Sequence, residues 1–441
     1  MKQLKRCIIS GIAALLSAAP LVLNAEVTVL GWPGGPEEVA LRAVSEAYNS
    51  KAEVAEEDKV KLIFFSRDGF FDKLQADLAA GTDSFDANLL ATYSIGRYAP
   101  FLKPVSLSDS AVEVFGDAVL STMQFEGKQY GVPTDLSLHF LYYRTDLITS
   151  LLEDSSQHSK YMDISEKHLG VRLEPKNPDD WTWMDFTANA LYFSKSVNPD
   201  SPTRYGTVLQ LKNLLFNMMV FHSWPRSYGA DWMDADGNIT VDSDAYREAL
   251  GLVKILVDAG ATPKDSFSYE YAEANAAFGS GQVAAMVQWN AAAADLKDAE
   301  KTPATAEATA TIAPPAGPEG RFTHVHGLGL GVNASGKNVA GAEAFIRWLS
   351  TAEAAKLYAL NGGAPGLTAD VVAEVASERP DLVPLGELAS NYGFVMNGGT
   401  SAKALSVYEV QAKEFTGFLS GGQTLDEALA KTTSSMEELL K

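Results

Sequence analysis

Apolar and polar positions along this chain follow two rhythms, and glycine-rich turns mark where one gives way to the other. Val27-Thr28-Val29-Leu30 is a β-branched run that stops at Gly31-Trp32-Pro33-Gly34-Gly35-Pro36, after which Val39, Leu41, Val44 and Tyr48 recur close to helical spacing. The pattern predicts a strand, a tight turn and a helix. A second unit repeats it: Val60-Lys61-Leu62-Ile63-Phe64-Phe65, the polar turn Ser66-Arg67-Asp68-Gly69, then a helix through Leu74 and Leu78 to a stop at Gly81. Asp86-Ala87-Asn88-Leu89-Leu90-Ala91 supplies a third strand. Strands alternating with helices predict a parallel sheet with ligands near the strand ends.

From about residue 140 to 310 the chain reads as more helical, with aromatic clusters at Trp181-Thr182-Trp183 and from Phe221 to Trp232. Asp234-Ala235-Asp236-Gly237-Asn238, between Trp232-Met233 and Ile239-Thr240-Val241, is the one strong hairpin signal. Ala299 to Gly320, rich in Ala, Thr, Pro and Gly, reads as a connection between two lobes. Leu328, Leu330 and Val332 then alternate with glycines as a strand, and a helix runs through Ala342, Phe345, Ile346, Trp348 and Leu349. No internal repeat is visible, which argues against a structural or adhesive surface protein.

The N-terminus changes the picture of where the protein works. Lys2, Lys5 and Arg6 precede an apolar stretch from Cys7 to Leu23, broken by Pro20, and Leu23-Asn24-Ala25 forms a small-residue cleavage site, so residues 1–25 read as a cleaved export signal. Cys7 is the only cysteine and has no lipid-attachment context, so the exported chain is expected to be free of disulfides and of a lipid anchor. The formal charge of −21 becomes about −24 without the signal, a surface that repels nucleic acid and anionic lipid. About 416 remaining residues suggest two lobes.

Candidate chemistry narrows quickly. Gly331 to Asn338 nearly matches a phosphate-cradling loop, but Asn338 stands where Ser or Thr would hold magnesium, so a surface turn is the better reading. His324-Val325-His326 could bind a metal, hydrogen-bond a ligand or simply pack, and no third ligand sits at a recognisable spacing. Asp234, Asp236 and Asn238 begin a calcium loop whose twelfth position is Ala245 rather than glutamate, which favours a hairpin turn. No glycine-flanked serine elbow is present, and among 56 carboxylates spacing alone nominates no acid and base pair. Aromatics remain: Trp32 in a turn after a strand, Trp224 before a proline, and Trp289-Asn290 after an apolar run. Rings at element ends suit a sugar, whose C–H face packs on indole while Asp, Asn and His bind hydroxyls. Each ring could equally be core.

Taken together these segments resemble the extracellular solute-binding proteins of bacterial ABC sugar importers, the group that includes maltose-binding protein. The resemblance rests on Gly127-Lys128-Gln129-Tyr130-Gly131-Val132-Pro133-Thr134-Asp135 followed by Leu141-Tyr142-Tyr143-Arg144-Thr145-Asp146-Leu147, and on the tryptophan-led helix start Trp181-Thr182-Trp183-Met184-Asp185-Phe186. Ala277-Phe278-Gly279-Ser280-Gly281-Gln282-Val283-Ala284-Ala285-Met286 and Gly327-Leu328-Gly329-Leu330-Gly331-Val332 extend it across the mature chain. It implies an α/β, periplasmic-binding-protein-like (type II) fold: two α/β lobes joined by a hinge of several crossings, with the ligand in the cleft. Lobe I is expected over 26–134 plus 314–360, and lobe II over 135–313 plus 361–441. Carried over by position, the resemblance implies ligand contacts from Trp32, Asp68 and Tyr93 after the first three strands, and from Asp135 in the crossing segment. Trp224, Trp289 with Asn290, His326 and Asn361 join them, as does Tyr228, which stands where the family commonly has paired glycines.

The function this implies is a non-catalytic, monomeric periplasmic protein of a Gram-negative cell that closes on a carbohydrate and presents it to the permease subunits of an ABC transporter, with no cofactor and no metal. The alternatives are a non-sugar solute such as a polyol, an osmolyte or a glycerol phosphate diester, and a secreted carbohydrate-active hydrolase on a similar scaffold.

Overall fold

The computed structural model describes residues 26–234 and 236–441. The export signal expected over residues 1–25, Cys7 included, lies outside the described residues. None of the described helices is long and apolar enough to cross a membrane.

The first three expected strands, Val27–Gly31, Val60–Phe64 and Ala87–Ala91, lie parallel with Val27–Gly31 in the middle. The strand His326–Asn333 returns antiparallel to Ala87–Ala91, and both Gly131–Ser137 and the short Leu102–Lys103 pair with it. Ala87–Ala91 and His326–Asn333 are buried along their whole length, as central strands covered on both faces are. Gly327, Gly329 and Gly331 alternate along the return strand because there is no room for side chains: a Cβ would stand 2.4 Å from Thr122 Oγ1, 2.3 Å from the Val132 carbonyl oxygen and 2.4 Å from Leu90 Cδ1 respectively.

The first helix, Gly35–Asn49, buries Ala40, Leu41, Val44 and Tyr48. Val39, expected on that face, is exposed. It lies five residues before Val44, about 140° round the helix, while Ala40 falls in line with Val44. Asn338, the residue that spoils the phosphate-loop pattern, instead caps the helix Val339–Leu349 by accepting the Gly341 N–H at 3.0 Å. Lys337 lies on the surface, 3.6 Å from Asp83.

The second lobe is mainly helical around a three-stranded antiparallel sheet of Thr309–Ile312, His139–Arg144 and Ala285–Trp289. Thr309–Ile312 falls inside the stretch expected to be a plain connection: its Thr-Ala-Thr-Ile alternation is a strand signal that the surrounding Ala, Thr and Pro obscure. The helix Trp183–Tyr192 starts as its sequence suggests, with a capping box in which Thr182 Oγ1 accepts the Asp185 N–H and Asp185 Oδ2 accepts the Thr182 N–H. The expected hairpin is present as a Met233–Ile239 bridge, and the Asp234 carboxylate accepts the N–H groups of Asp236 and Asn238.

Three passages of chain join the lobes. On the first, Gly131–Ser137 belongs entirely to the lobe I sheet and His139–Arg144 to the lobe II sheet, so the change of lobe falls at Leu138 rather than at 134. On the second, Ala316 and Glu319 donate to the Trp181 and Ser227 carbonyls of lobe II, and the lobe I sheet is regained only at His326, not at 314. On the third, the Leu136 and Thr368 N–H groups bond the Ala364 and Val114 carbonyls, which carries lobe I past residue 360. The boundaries differ from expectation because interstrand hydrogen bonds, invisible in composition, set them.

At the centre of lobe II, Trp183 and Trp224 stack with ring centroids 4.0 Å apart, and Phe186 meets both edge-on. Trp224→Ala is expected to cost about 3–5 kcal/mol through the cavity it leaves, read as a lower midpoint in denaturant unfolding; an unchanged midpoint would mean that this stack does not hold the lobe.

Candidate ligand-binding site

Between the lobes lies a small cavity of about 40 Å³. Lobe I contributes Trp32, Glu37, Arg67, Tyr93 and Leu328; lobe II contributes Phe216, Tyr271, Trp289 and Ala291; Ser137 and His326 stand at the crossings. The positions follow from the fold. Trp32 and Arg67 occupy the turns just after two neighbouring parallel strands, Tyr93 follows the third, and Glu37 stands in the first turn of the first helix. Side chains at the carboxyl ends of parallel strands converge on the crevice.

Trp32 is fixed edge-on to Phe70, Phe71 and Phe216, at centroid distances of 5.4, 5.9 and 6.1 Å. Arg67 lies over two rings from opposite lobes, 4.9 Å from the Trp32 centroid and 5.5 Å from that of Phe216. Lys212 of lobe II approaches Asp68 of lobe I at 3.9 Å. The lobes are therefore in contact at the rim, and the cavity sits behind that contact.

Five buried polar atoms on residues of the cavity wall have no hydrogen-bond partner: Trp32 Nε1, Glu37 Oε2, Arg67 Nε, Tyr271 Oη and His326 Nε2. A buried polar atom left unsatisfied costs about 1–3 kcal/mol, so five around one cavity make it the candidate site. Burial, with the Asp135 carboxylate behind it, pushes the Glu37 carboxyl up to about 7 against the pull of Arg67. Burial also raises the Tyr93 and Tyr271 hydroxyls, which stay protonated and able to donate.

Of the expected contacts, Trp32, Tyr93, Trp289 and His326 are brought together on this wall. The other six are not. Asp68 is exposed at the rim beside Lys212. Asp135 lies behind the wall with its carboxylate occupied, accepting the Tyr358 hydroxyl at 2.5 Å and the Ala364 N–H at 2.8 Å. Trp224 is committed to the core of lobe II. Asn290, beside Trp289 in sequence, turns its amide the other way: Oδ1 accepts the Leu138 N–H at 2.9 Å and Nδ2 donates to the Leu136 carbonyl at 3.0 Å, which clips the first crossing. Tyr228 packs at the edge of the lobe II core, its hydroxyl pushed up to about 12 by burial. Asn361 ends the helix Ala352–Leu360 and donates to the Leu357 carbonyl. Glu37, Arg67, Phe216 and Tyr271 also line the cavity, and none of them was expected there. Arg67 is next to the expected Asp68, in a turn where only the structure decides which neighbour faces inward.

Residues 45–383 match the family of bacterial extracellular solute-binding proteins. The chain belongs to that family. The two-lobed fold is shared with maltose-bound MalE3 of T. maritima at 20% identity and a TM-score of 0.76, over 94% of this chain and 100% of that one. A D-mannitol-bound solute-binding protein from Agrobacterium vitis S4 aligns at 18% identity and a TM-score of 0.75, over 94% of this chain and 98% of the other. In sequence, this solute-binding protein is 26% identical over 258 residues to a putative binding protein of Brucella abortus (strain 2308), covering 57% of this chain and 54% of that relative. The chain thus spans about half the length of the curated relatives it first matches. A lactose-binding protein of Rhizobium radiobacter is 28% identical over 154 residues, 33% of this chain and 36% of its own length.

At the cavity wall and behind it the two histidines of His324-Val325-His326 lie tilted by 60°, centroids 4.0 Å apart, and are joined by His222 at 5.4 Å from His324 and by His139, which packs on Trp289 at 4.3 Å. Among the described residues no group of three or more His, Cys, Asp or Glu is placed to hold a metal. Burial holds all four imidazoles below their usual value, His139 at about 3 and His222 at about 4. The unfolded chain binds these protons near 6.5 and the folded protein does not, so they weaken the fold as the pH drops below about 6.5. Glu37 and Asp135, whose values are raised, act in the opposite sense. Unfolding free energy is expected to fall between pH 6.5 and 5, by up to about 1.4 kcal/mol per pH unit for each histidine. His139→Gln is expected to shallow that slope by about one proton; an identical slope in the variant would show that His139 is not buried neutral.

Proposed function

We propose that this protein captures a small carbohydrate or polyol between its lobes and delivers it to the permease of an ABC importer, acting by lobe closure without chemistry. The observation that carries the reading is the composition of the wall: unpartnered polar atoms of Trp32, Glu37, Arg67 and His326 set among the rings of Trp32, Tyr93, Phe216, Tyr271 and Trp289. A sugar or polyol presents both faces such a wall needs, C–H groups for the rings and hydroxyls for the polar atoms. Relatives of this fold are named for maltose, D-mannitol and lactose. The two carboxyls nearest the cavity do not make a hydrolytic pair, since Asp135 is held by Tyr358 and the Ala364 N–H behind the wall.

Closure follows from the crossings. Leu138, the segment between Glu319 and His326, and the chain beyond Thr368 are where hydrogen bonding changes lobe, so they act as the hinge. A ligand bonded to Arg67 on one side and Trp289 on the other stabilises only the closed arrangement, because only there can it touch both. The export signal expected over residues 1–25 supports a periplasmic site of action.

A thermal-shift screen of mono- and oligosaccharides and polyols is expected to raise the melting temperature with at least one of them. Trp289→Ala is expected to weaken that ligand by about 2 kcal/mol, roughly thirty-fold in Kd, with the unliganded melting temperature little changed. Equal affinity by calorimetry would remove Trp289 from the site, and product formation without stabilisation would favour a hydrolase.

A further inference from the structure

The cavity wall carries two charged side chains, Arg67 from lobe I's second turn and Glu37 from its first helix, and they do not pair with each other. Every other charge near them is already engaged. Asp135 is held by Tyr358 and the Ala364 N–H, Asp68 faces Lys212, and Glu38 accepts from Arg42 and from the Gly34 N–H. Arg67 therefore presents a guanidinium whose neighbours are ring faces, with its Nε buried and unpartnered. The buried Nε needs an acceptor, and the planar fork of the half-buried guanidinium fits a carboxylate by two parallel bonds.

From this arrangement we infer that the solute is a sugar acid, with its carboxylate on Arg67 and its hydroxylated body among the rings, Trp32 Nε1 and His326 Nε2. The inference rests on the carbohydrate reading above and narrows it. One unpaired cation in the wall calls for one negative charge, and no lysine lines the cavity to receive a second. Glu37 agrees with this. Its carboxyl is pushed up to about 7, so near neutral pH much of it is protonated and donates a hydrogen bond instead of repelling an anion. The groups facing it are Arg67, Asp135, Tyr93, Tyr271 and Tyr358, with Glu38 on its own helix, and an arriving carboxylate adds to the forces that keep Glu37 protonated. The net charge of −21 opposes an anion only at long range, where salt screens it beyond about 8 Å.

Calorimetry on the exported chain tests this with D-glucuronate and D-gluconate against their neutral counterparts D-glucose and sorbitol, and with glycerophosphocholine, a zwitterion whose phosphodiester carries one negative charge. At pH 6.5 the sugar acids are expected to bind about ten- to a hundred-fold tighter than the neutral pair. Arg67→Gln is expected to weaken the sugar acids about ten-fold or more beyond any loss it causes for the neutral pair, erasing the difference between the classes, and Arg67→Lys to restore part of it. As the pH rises from 6 to 8, sugar-acid affinity is expected to fall as Glu37 ionises, and Glu37→Gln is expected to abolish that fall. Neutral compounds binding as tightly as the acids, or Arg67→Gln weakening both classes equally, would overturn the inference and leave the carbohydrate reading intact. Glycerophosphocholine binding in preference to every sugar acid would overturn it in favour of a phosphodiester. No binding by any carbohydrate or polyol in the wider screen would remove the carbohydrate reading itself.

Discussion

Asp135 ties the hinge to the cleft. It sits on Gly131–Ser137, in the strand that leads out of lobe I, and its carboxylate accepts the Tyr358 hydroxyl and the Ala364 N–H from the third passage of chain. Burying a carboxylate is costly, and the cost is offset only while both donors stay in place. The first and third crossings are thereby held at one point, and Arg379 adds to it by donating to the Gly363 carbonyl at 2.7 Å. The same buried charge, felt at Glu37, helps keep the one carboxyl on the cavity wall close to neutral. A carboxylate whose first role is to hold two chain passages together also shifts the electrostatics of the cavity in front of it.

The aromatic residues divide by the element that carries them. Trp183 and Trp224 lie on helices of lobe II and face each other across its core, so they stabilise one lobe and touch nothing outside it. Trp32, Tyr93 and Trp289 lie just after, or at the end of, strands that point into the crevice, and they meet across the gap through Phe216 and the histidines. Tryptophan content alone does not distinguish these roles. The difference is whether the residue ends a strand of a sheet or sits on the inward stripe of a helix packed on helices.

Much of the architecture was legible in the chain. The strand, turn and helix units from Val27 to Ala91, the glycine-alternating return strand, the capped helix at Trp183 and the hairpin at Asp234 are local signals, and local hydrogen bonding and periodicity produce them. The lobe boundaries were less legible. They depend on which strand Gly131–Ser137 pairs with and on the bonds of Ala364 and Thr368, contacts that span hundreds of residues.

By itself the sequence determined that this is a two-lobed α/β chain of the solute-binding kind, and that rings follow strands where a ligand would lie. Trp32 and Tyr93 line the cavity as that pattern implies, because residues just past parallel strands face the crevice whatever the rest of the chain does. Only the tertiary structure decided between neighbours: Arg67 inward and Asp68 at the rim, Trp289 on the wall and Asn290 in the hinge, Glu37 unpartnered and Asp135 satisfied. Adjacent residues in a turn have nearly the same sequence context but opposite directions. Which of them faces the cavity is fixed by the distant groups that claim the other.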